Sequence, residues 1–121
     1  MKFIIDLIED IREQISNNED YIVTAGLLKV DESDSTKLVY TGEAPLNVAS
    51  LDEDNKQLTF KINASVTKMT IGELIPPLLV LGMDCMMYEL RMDVNAQYQD
   101  MEIVSFGKNE EMKKYILFIK I

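Results

Sequence analysis

The spacing of the apolar residues along this chain changes from a helical period to a strand period. Near the N-terminus, isoleucines recur every three or four residues, at Ile4, Ile8, Ile11 and Ile15. This spacing places them on one face of an amphipathic helix, which we predict over about residues 2–16, ending at residues 16–18. In residues 57–63, apolar and polar residues alternate instead, which is typical of a half-buried strand. A chain with both periods is expected to combine a helix with a sheet.

Six further segments favour strands, because they are rich in β-branched and aromatic residues or alternate in polarity. They are residues 21–30, 37–41, 46–51, 85–94, 101–106 and 113–121. Gly26 indicates a bulge or a close backbone approach in the first segment, and residues 42–45 are expected to break the second. The segment 85–94 has an alternative interpretation as a helix continuing from Leu78. The last segment is apolar on both faces in its middle, which favours a central place in the sheet.

A second, short helix is predicted within residues 70–81. Thr70 and Glu73 have the spacing of a capping box directly before an apolar run. Pro76-Pro77 interrupts that run, and proline is tolerated only in the first turn of a helix. Either a short turn therefore precedes the prolines, or the helix begins at them. Gly82 fits the position that follows a helix end.

The order of these elements predicts a single α+β domain over residues 1–121. We expect a mainly antiparallel sheet of about six or seven strands, with the N-terminal helix and the short second helix packed on it. The order is similar to that of small acidic secretion chaperones, although it shares no sequence motif with them and ends in a strand where they carry a helix. This resemblance implies a chaperone-like role in binding another protein.

The side chains available for chemistry are few, because the chain has no histidine and its only cysteine is Cys85. Catalysis by Ser-His or Cys-His pairs and metal sites built on histidine are therefore excluded. Cys85 cannot form an intramolecular disulfide, and no histidine is present to activate its thiol. Ser65 and Lys68 have S-x-x-K spacing without the companion motifs, and no glycine-rich phosphate loop is present. We predict a protein that is not an enzyme and holds no cofactor or metal.

The net charge of −9 limits the partners of the chain. Nearly all of it lies in the first 60 residues, and such acidity repels nucleic acid and anionic membranes. The longest apolar run, Leu74–Leu81, is far shorter than the ~20 residues needed to span a bilayer. Acidic residues in the first ten positions are also unlike a secretory signal. We therefore predict a cytoplasmic protein that binds neither nucleic acid nor membranes.

A cluster of sulfur-containing residues is the most distinctive candidate site. It contains Cys85 and the methionines Met83, Met86, Met87 and Met92. Thioether and thiolate ligands suit Cu(I), but methionine more often fills a core or forms an adaptable binding surface. The four methionines are therefore either core residues or an interaction surface, and the interaction surface is the candidate site.

The function predicted from these features is that of a non-catalytic, acidic interaction or accessory protein. Its partner would be another protein, or a second copy in a homodimer. The alternative is a small-ligand-binding domain or a carboxylate-based enzyme, with a pocket between the sheet and a helix.

Overall fold

The computed structural model describes residues 1–15, 20–62 and 68–121. The predicted helix end at residues 16–18 and Ser65 of the S-x-x-K pattern lie outside the described residues. None of the helices in the described ranges has the length and apolarity needed to cross a membrane. In chain order, the elements are α1 (Ile4–Ile15), β1 (Ile22–Val30), β2 (Leu38–Pro45), β3 (Val48–Asp52), β4 (Gln57–Lys61), α2 (Ile71–Leu79), a 3-10 helix (Met83–Met87), β5 (Glu89–Asp93), β6 (Met101–Asn109) and β7 (Lys114–Lys120).

The strands form one mixed sheet in the order β2-β1-β7-β6-β5-β4-β3. The pairs β1–β7 and β4–β5 are parallel, and the other neighbouring pairs are antiparallel. The predicted α+β class with a mainly antiparallel sheet is therefore confirmed. The last strand, β7, lies between β1 and β6, as its two apolar faces predict.

The start of the chain is attached to the middle of this sheet. β5 and β6 share a short stretch of pairing at one end of β5. At the other end, Phe3 forms an antiparallel bridge with Glu89, and the Leu90 N–H donates to the Lys2 carbonyl over 2.8 Å. Helix α1 therefore begins from a point that is hydrogen-bonded to the sheet.

The core lies between one face of the sheet and the two helices. The isoleucine face of α1 is buried as predicted, and α2 buries residues on one side in the same cluster. Fully buried side chains from the strands complete it: Val23, Ala25, Phe60, Leu90, Met92, Ile103, Tyr115, Leu117 and Ile119. Burial on this scale is the main stabilising contribution in a domain of this size.

Strand β2 is longer than predicted, because residues 42–45 continue the strand to Pro45. The register shifts between Leu27 and Leu28 and leaves Thr41 as an extra residue, which is a β-bulge. β2 is an edge strand, where Pro45 removes no hydrogen bond that the sheet requires. The expected break was therefore wrong, and β6 likewise extends to Asn109 instead of residue 106.

Gly26 marks a close approach, as predicted. A Cβ at this position would lie 2.6 Å from Cδ1 of Phe118 and 2.7 Å from Cγ2 of Ile116. The aromatic ring lies across the backbone of β1, and a Cβ at Gly107 on the other side would meet the same ring at 2.8 Å. The two glycines therefore leave room for one ring on the sheet face opposite the helices.

Helix α2 begins at the predicted capping box but does not stop at the prolines. The Thr70 hydroxyl accepts from the Glu73 N–H over 3.3 Å, and the Thr70 N–H donates to the Glu73 carboxylate over 3.2 Å. The helix then runs from Ile71 through Pro76-Pro77 to Leu79, so both alternatives predicted for the prolines were wrong. The capping box and the burial of one helix face stabilise α2 in spite of the missing N–H groups.

The strand that follows α2 is shorter than predicted. Gly82 is not the residue that ends α2, because its φ of −67° is not left-handed and it instead precedes the 3-10 helix. The Cys85 N–H donates to the Gly82 carbonyl, and the Tyr88 N–H to the Cys85 carbonyl, both over 3.0 Å. These turns occupy the first half of the predicted strand 85–94, which begins only at Glu89.

Candidate functional site

An exposed apolar surface follows from the composition of α2. The helix sequence IGELIPPLL is apolar at nearly every position, and its core-facing side already uses Ile71, Leu74 and Leu78. The remaining apolar residues at its end must therefore face outward, and the next turn adds two methionines. The exposed fractions are 53% for Leu79, 83% for Val80, 85% for Met83 and 61% for Met87. We call these four residues the apolar surface.

The structure separates the four predicted methionines. Met83 and Met87 belong to the apolar surface, whereas Met86 is half-buried and packs against the core. Met92 is 0% exposed in strand β5, so it is not part of any surface. Cys85 is half-buried. The 3-10 helix also packs against α1, which fixes the position of Met83 and Met87 relative to the core.

A cleft adjoins this surface, between α2 and strands β4 and β3 at one edge of the sheet. Its volume is about 210 Å³. The sheet side is formed by Ala49, Leu51 and Leu58, and the helix side by Leu74, Pro77 and Leu78. The next residue after Leu78 is part of the apolar surface, so one turn of α2 contributes to both.

Glu73 is the acidic residue of the cleft, and it presents two different acceptors. Its carboxylate accepts from the Thr70 N–H and, over 3.0 Å, from the Thr70 hydroxyl, which leaves lone pairs free. Its carbonyl lacks the usual helical donors, because Pro76 and Pro77 occupy the third and fourth positions after it and have no N–H. Glu73, which lines the cleft, therefore keeps the capacity to accept further hydrogen bonds.

The segment that carries the apolar surface is negatively charged. Residues 69–90 contain Glu73, Asp84 and Glu89 and no lysine or arginine. Glu89 forms an ion pair with Arg91 over 2.6 Å, although the angle is not that of a hydrogen bond. The other two acids are exposed, and no basic side chain of this segment offsets them.

Several of the remaining acids of the described ranges accept hydrogen bonds within turns. Hydrogen bonds from Ser33 lower the pKa of Asp31, those from Thr36 lower the pKa of Asp34, and those from Asn55 lower the pKa of Asp52. The acidic tip at residues 52–55 is thus a turn. Within the described ranges, no three cysteine, aspartate or glutamate side chains are grouped where they could hold a metal.

Among the described residues, the most deeply buried ionisable side chain is that of Tyr115, in the core. The Tyr115 hydroxyl donates to Oδ2 of Asp10 over 2.6 Å and so joins β7 to α1. Burial, and then the neighbouring Asp10 carboxylate, raise the pKa of Tyr115 well above its usual range. This pair anchors α1 and does not reach the cleft or the apolar surface.

The sequence prediction missed Leu79, Val80 and both acceptors of Glu73. Two signals could have found them. An apolar run too long for one helix face leaves outward-facing residues, and a proline pair removes the donors of the carbonyl that precedes it.

No known family model matches the chain, and neither a curated protein nor a solved structure matches it. Function therefore has to be inferred from the apolar surface, the cleft and the charge around them.

Proposed function

We propose that this protein is a non-catalytic, acidic accessory protein that binds another protein in a chaperone-like manner. The observation that carries the proposal is the apolar surface: Leu79, Val80, Met83 and Met87 are all more than half exposed and lie within nine consecutive residues. Clustered exposed apolar side chains mark binding sites, whereas single ones are ordinary.

The side chains of the apolar surface can bind partners whose shapes are not fully complementary to it. Methionine is unbranched, flexible and polarisable, so Met83 and Met87 can adapt to different apolar shapes. Surfaces of this kind are used by proteins that bind several related segments.

The charge of the molecule supports a basic partner over a second copy. The chain carries −9 overall and no lysine or arginine in residues 69–90. A second copy would bring its own Asp84 to the same interface, and like charges oppose each other there. A partner segment with apolar residues flanked by lysine or arginine would meet both the apolar surface and the acids.

The test compares two methionine sites on the same protein. The double variant Met83→Lys/Met87→Lys replaces the two methionines of the apolar surface with positively charged side chains. Met112→Lys makes the same change at a methionine that is 59% exposed in the turn between β6 and β7. Tagged wild-type and variant proteins are used to capture partners from source cells, and the captured proteins are quantified by mass spectrometry.

We expect the wild type and Met112→Lys to capture the same proteins, and the double variant to lose them. Circular dichroism checks that all three are folded. Equal capture by the double variant and the wild type would contradict the proposed function, as would a wild type that captures nothing above background.

A further inference from the structure

We infer that the cleft between α2 and strands β3 and β4 determines which segments the apolar surface binds, by taking an aliphatic side chain whose neighbour is an arginine. The aliphatic side chain would enter the cleft, and the guanidinium would bind Glu73. This inference rests on the proposed function, because the segment that enters the cleft is part of the same partner.

The size of the cleft favours a single side chain. Its volume of about 210 Å³ is below the roughly 300 Å³ at which sites for drug-sized molecules begin. It exceeds the roughly 150 Å³ of an engineered apolar cavity that binds benzene. A side chain of the size of leucine or isoleucine therefore fits, and the leucines that line both walls would surround it with apolar contacts.

The acceptors of Glu73 favour arginine as the neighbour. The carbonyl of Glu73 has no donor from Pro76 or Pro77, and the carboxylate beside the cleft carries a negative charge. A guanidinium has five N–H donors in a planar fork and is always charged, so it can serve two acceptors at once. An ammonium group offers a point charge without this fork.

The cleft and the apolar surface are also continuous along the chain. Pro77, Leu78 and Leu81 line the cleft, whereas Leu79 and Val80 between them are exposed. A segment that lies across the end of α2 can therefore place one side chain in the cleft and others on the apolar surface.

The probe is the blocked dipeptide N-acetyl-leucyl-arginine amide, titrated into the ¹⁵N-labelled full chain and followed by NMR. The matched probe is N-acetyl-leucyl-citrulline amide, which keeps the shape of the side chain and removes its charge. We expect the arginine peptide to shift the amide signals of Ala49, Leu74 and Leu78, and the citrulline peptide to bind at least about tenfold more weakly, because hydrogen bonds between charged groups are the stronger ones.

Two variants of the cleft test the contacts separately. Glu73→Gln removes the charge but keeps a residue suited to the capping box, and it should weaken the arginine peptide about tenfold. Ala49→Leu fills the cleft and should abolish binding. The control Ala96→Leu makes the same change at an exposed loop position and should bind as the wild type does. Circular dichroism checks the fold of each variant.

The inference is overturned if the arginine peptide shifts signals away from the cleft or shifts none. The inference also fails if Glu73→Gln binds the arginine peptide, and the wild type binds the citrulline peptide, as tightly as the wild type binds the arginine peptide. It is also overturned if Ala49→Leu captures the same partners as the wild type while Met83→Lys/Met87→Lys captures none, and the proposed function then stands. If the peptide binds as expected but the methionine double variant still captures the same proteins, the proposed function fails and the cleft remains a site for leucyl-arginine segments.

Discussion

The two α-helices use their apolar residues in different ways. Helix α1 is polar on one side, and its buried residues Ile4, Leu7, Ile8, Ile11 and Ile15 are all packed in the core. Helix α2 is apolar nearly all round, so that it buries three residues and still leaves Leu79 more than half exposed.

This difference separates stability from binding along the chain. Five of the six apolar residues of α1 are buried in the core, and the sixth, Ile5, is half-buried. Those of α2 exceed what the core can bury, and the excess continues into Val80, Met83 and Met87. Substitutions in α1 should therefore change the free energy of unfolding, and substitutions at the end of α2 should change binding.

The same substitution in each helix gives the largest expected contrast. Leu7 is 0% exposed and Leu79 is 53% exposed. Leu7→Ala should lower the free energy of unfolding by about 3 kcal/mol, because it removes buried methyl groups and leaves a cavity. Leu79→Ala should change it by less than about 0.5 kcal/mol. Urea denaturation measures both values under identical conditions.

A loss at Leu79→Ala that equals the loss at Leu7→Ala would contradict the comparison, because Leu79 would then be part of the core. A small effect at both sites would contradict the assignment of α1 to the core.

A side-chain hydrogen bond anchors α1 to the sheet, whereas the Ile71 N–H of α2 donates to the Tyr21 carbonyl, next to β1, over 2.9 Å. The Tyr115 hydroxyl donates to Asp10, so Tyr115→Phe should lower the free energy of unfolding at pH 7 by about 1.5–3 kcal/mol, the usual value for a hydrogen bond to a charged group. Tyr98→Phe makes the same change in the loop after β5 and serves as the control.

The pH dependence gives an independent measure of this anchor. Burial raises the pKa of Tyr115 in the folded protein above its ordinary value of 10.0. Above pH 10 the unfolded chain releases the proton while the folded chain keeps it, so the stabilisation is present below that pH and is lost as the pH rises. The loss should be about 1.4 kcal/mol per pH unit. Urea denaturation between pH 9 and 11 should show this fall in the wild type and in Tyr98→Phe, and a smaller fall in Tyr115→Phe. An identical slope in all three would contradict the burial of the hydroxyl.

The sequence predicted α1 well, because the spacing of Ile4, Ile8, Ile11 and Ile15 leaves one arrangement that buries these four together. It also predicted the capping box of α2, which depends on two residues three positions apart. The path of the chain through Pro76-Pro77 was not predictable in this way, because it depends on how much burial offsets the missing hydrogen bonds. The parallel pairs of the sheet were not predicted either, since pairing direction depends on contacts between distant segments.

The candidate site was predictable only in part. The methionine pattern pointed to the segment that carries the apolar surface, but it could not separate Met83 at the surface from Met92 in the core, because methionine suits both environments. Whether each methionine is exposed or buried depends on where strand β5 begins. The turn between Cys85 and Tyr88 sets that position. The cleft depends on the spacing between α2 and the strands, which no local pattern contains.

The caps of the two helices offer the smallest contrast. At α2 the Thr70 hydroxyl and the Glu73 carboxylate form a complete capping box. At α1 only one of the two hydrogen bonds is present: Oδ2 of Asp6 accepts from the Phe3 N–H over 2.8 Å. The side chain of Phe3 has no oxygen that could accept from the Asp6 N–H. Thr70→Ala should therefore lower the free energy of unfolding by about 1 kcal/mol, and Thr70→Ser should restore it. Asp6→Asn keeps an acceptor and should cost only a few tenths of a kcal/mol, from the lost interaction between charge and helix dipole.

These cap variants also test whether the apolar surface depends on the whole of α2. Thr70 lies at the first end of the helix, and Leu79 lies at the other. Loss of a cap loosens the turn nearest to it, so partner capture by Thr70→Ala should equal that of the wild type while urea denaturation shows the lower stability. If capture falls together with stability, the apolar surface depends on the entire helix, and the separation of stability from binding does not hold within α2.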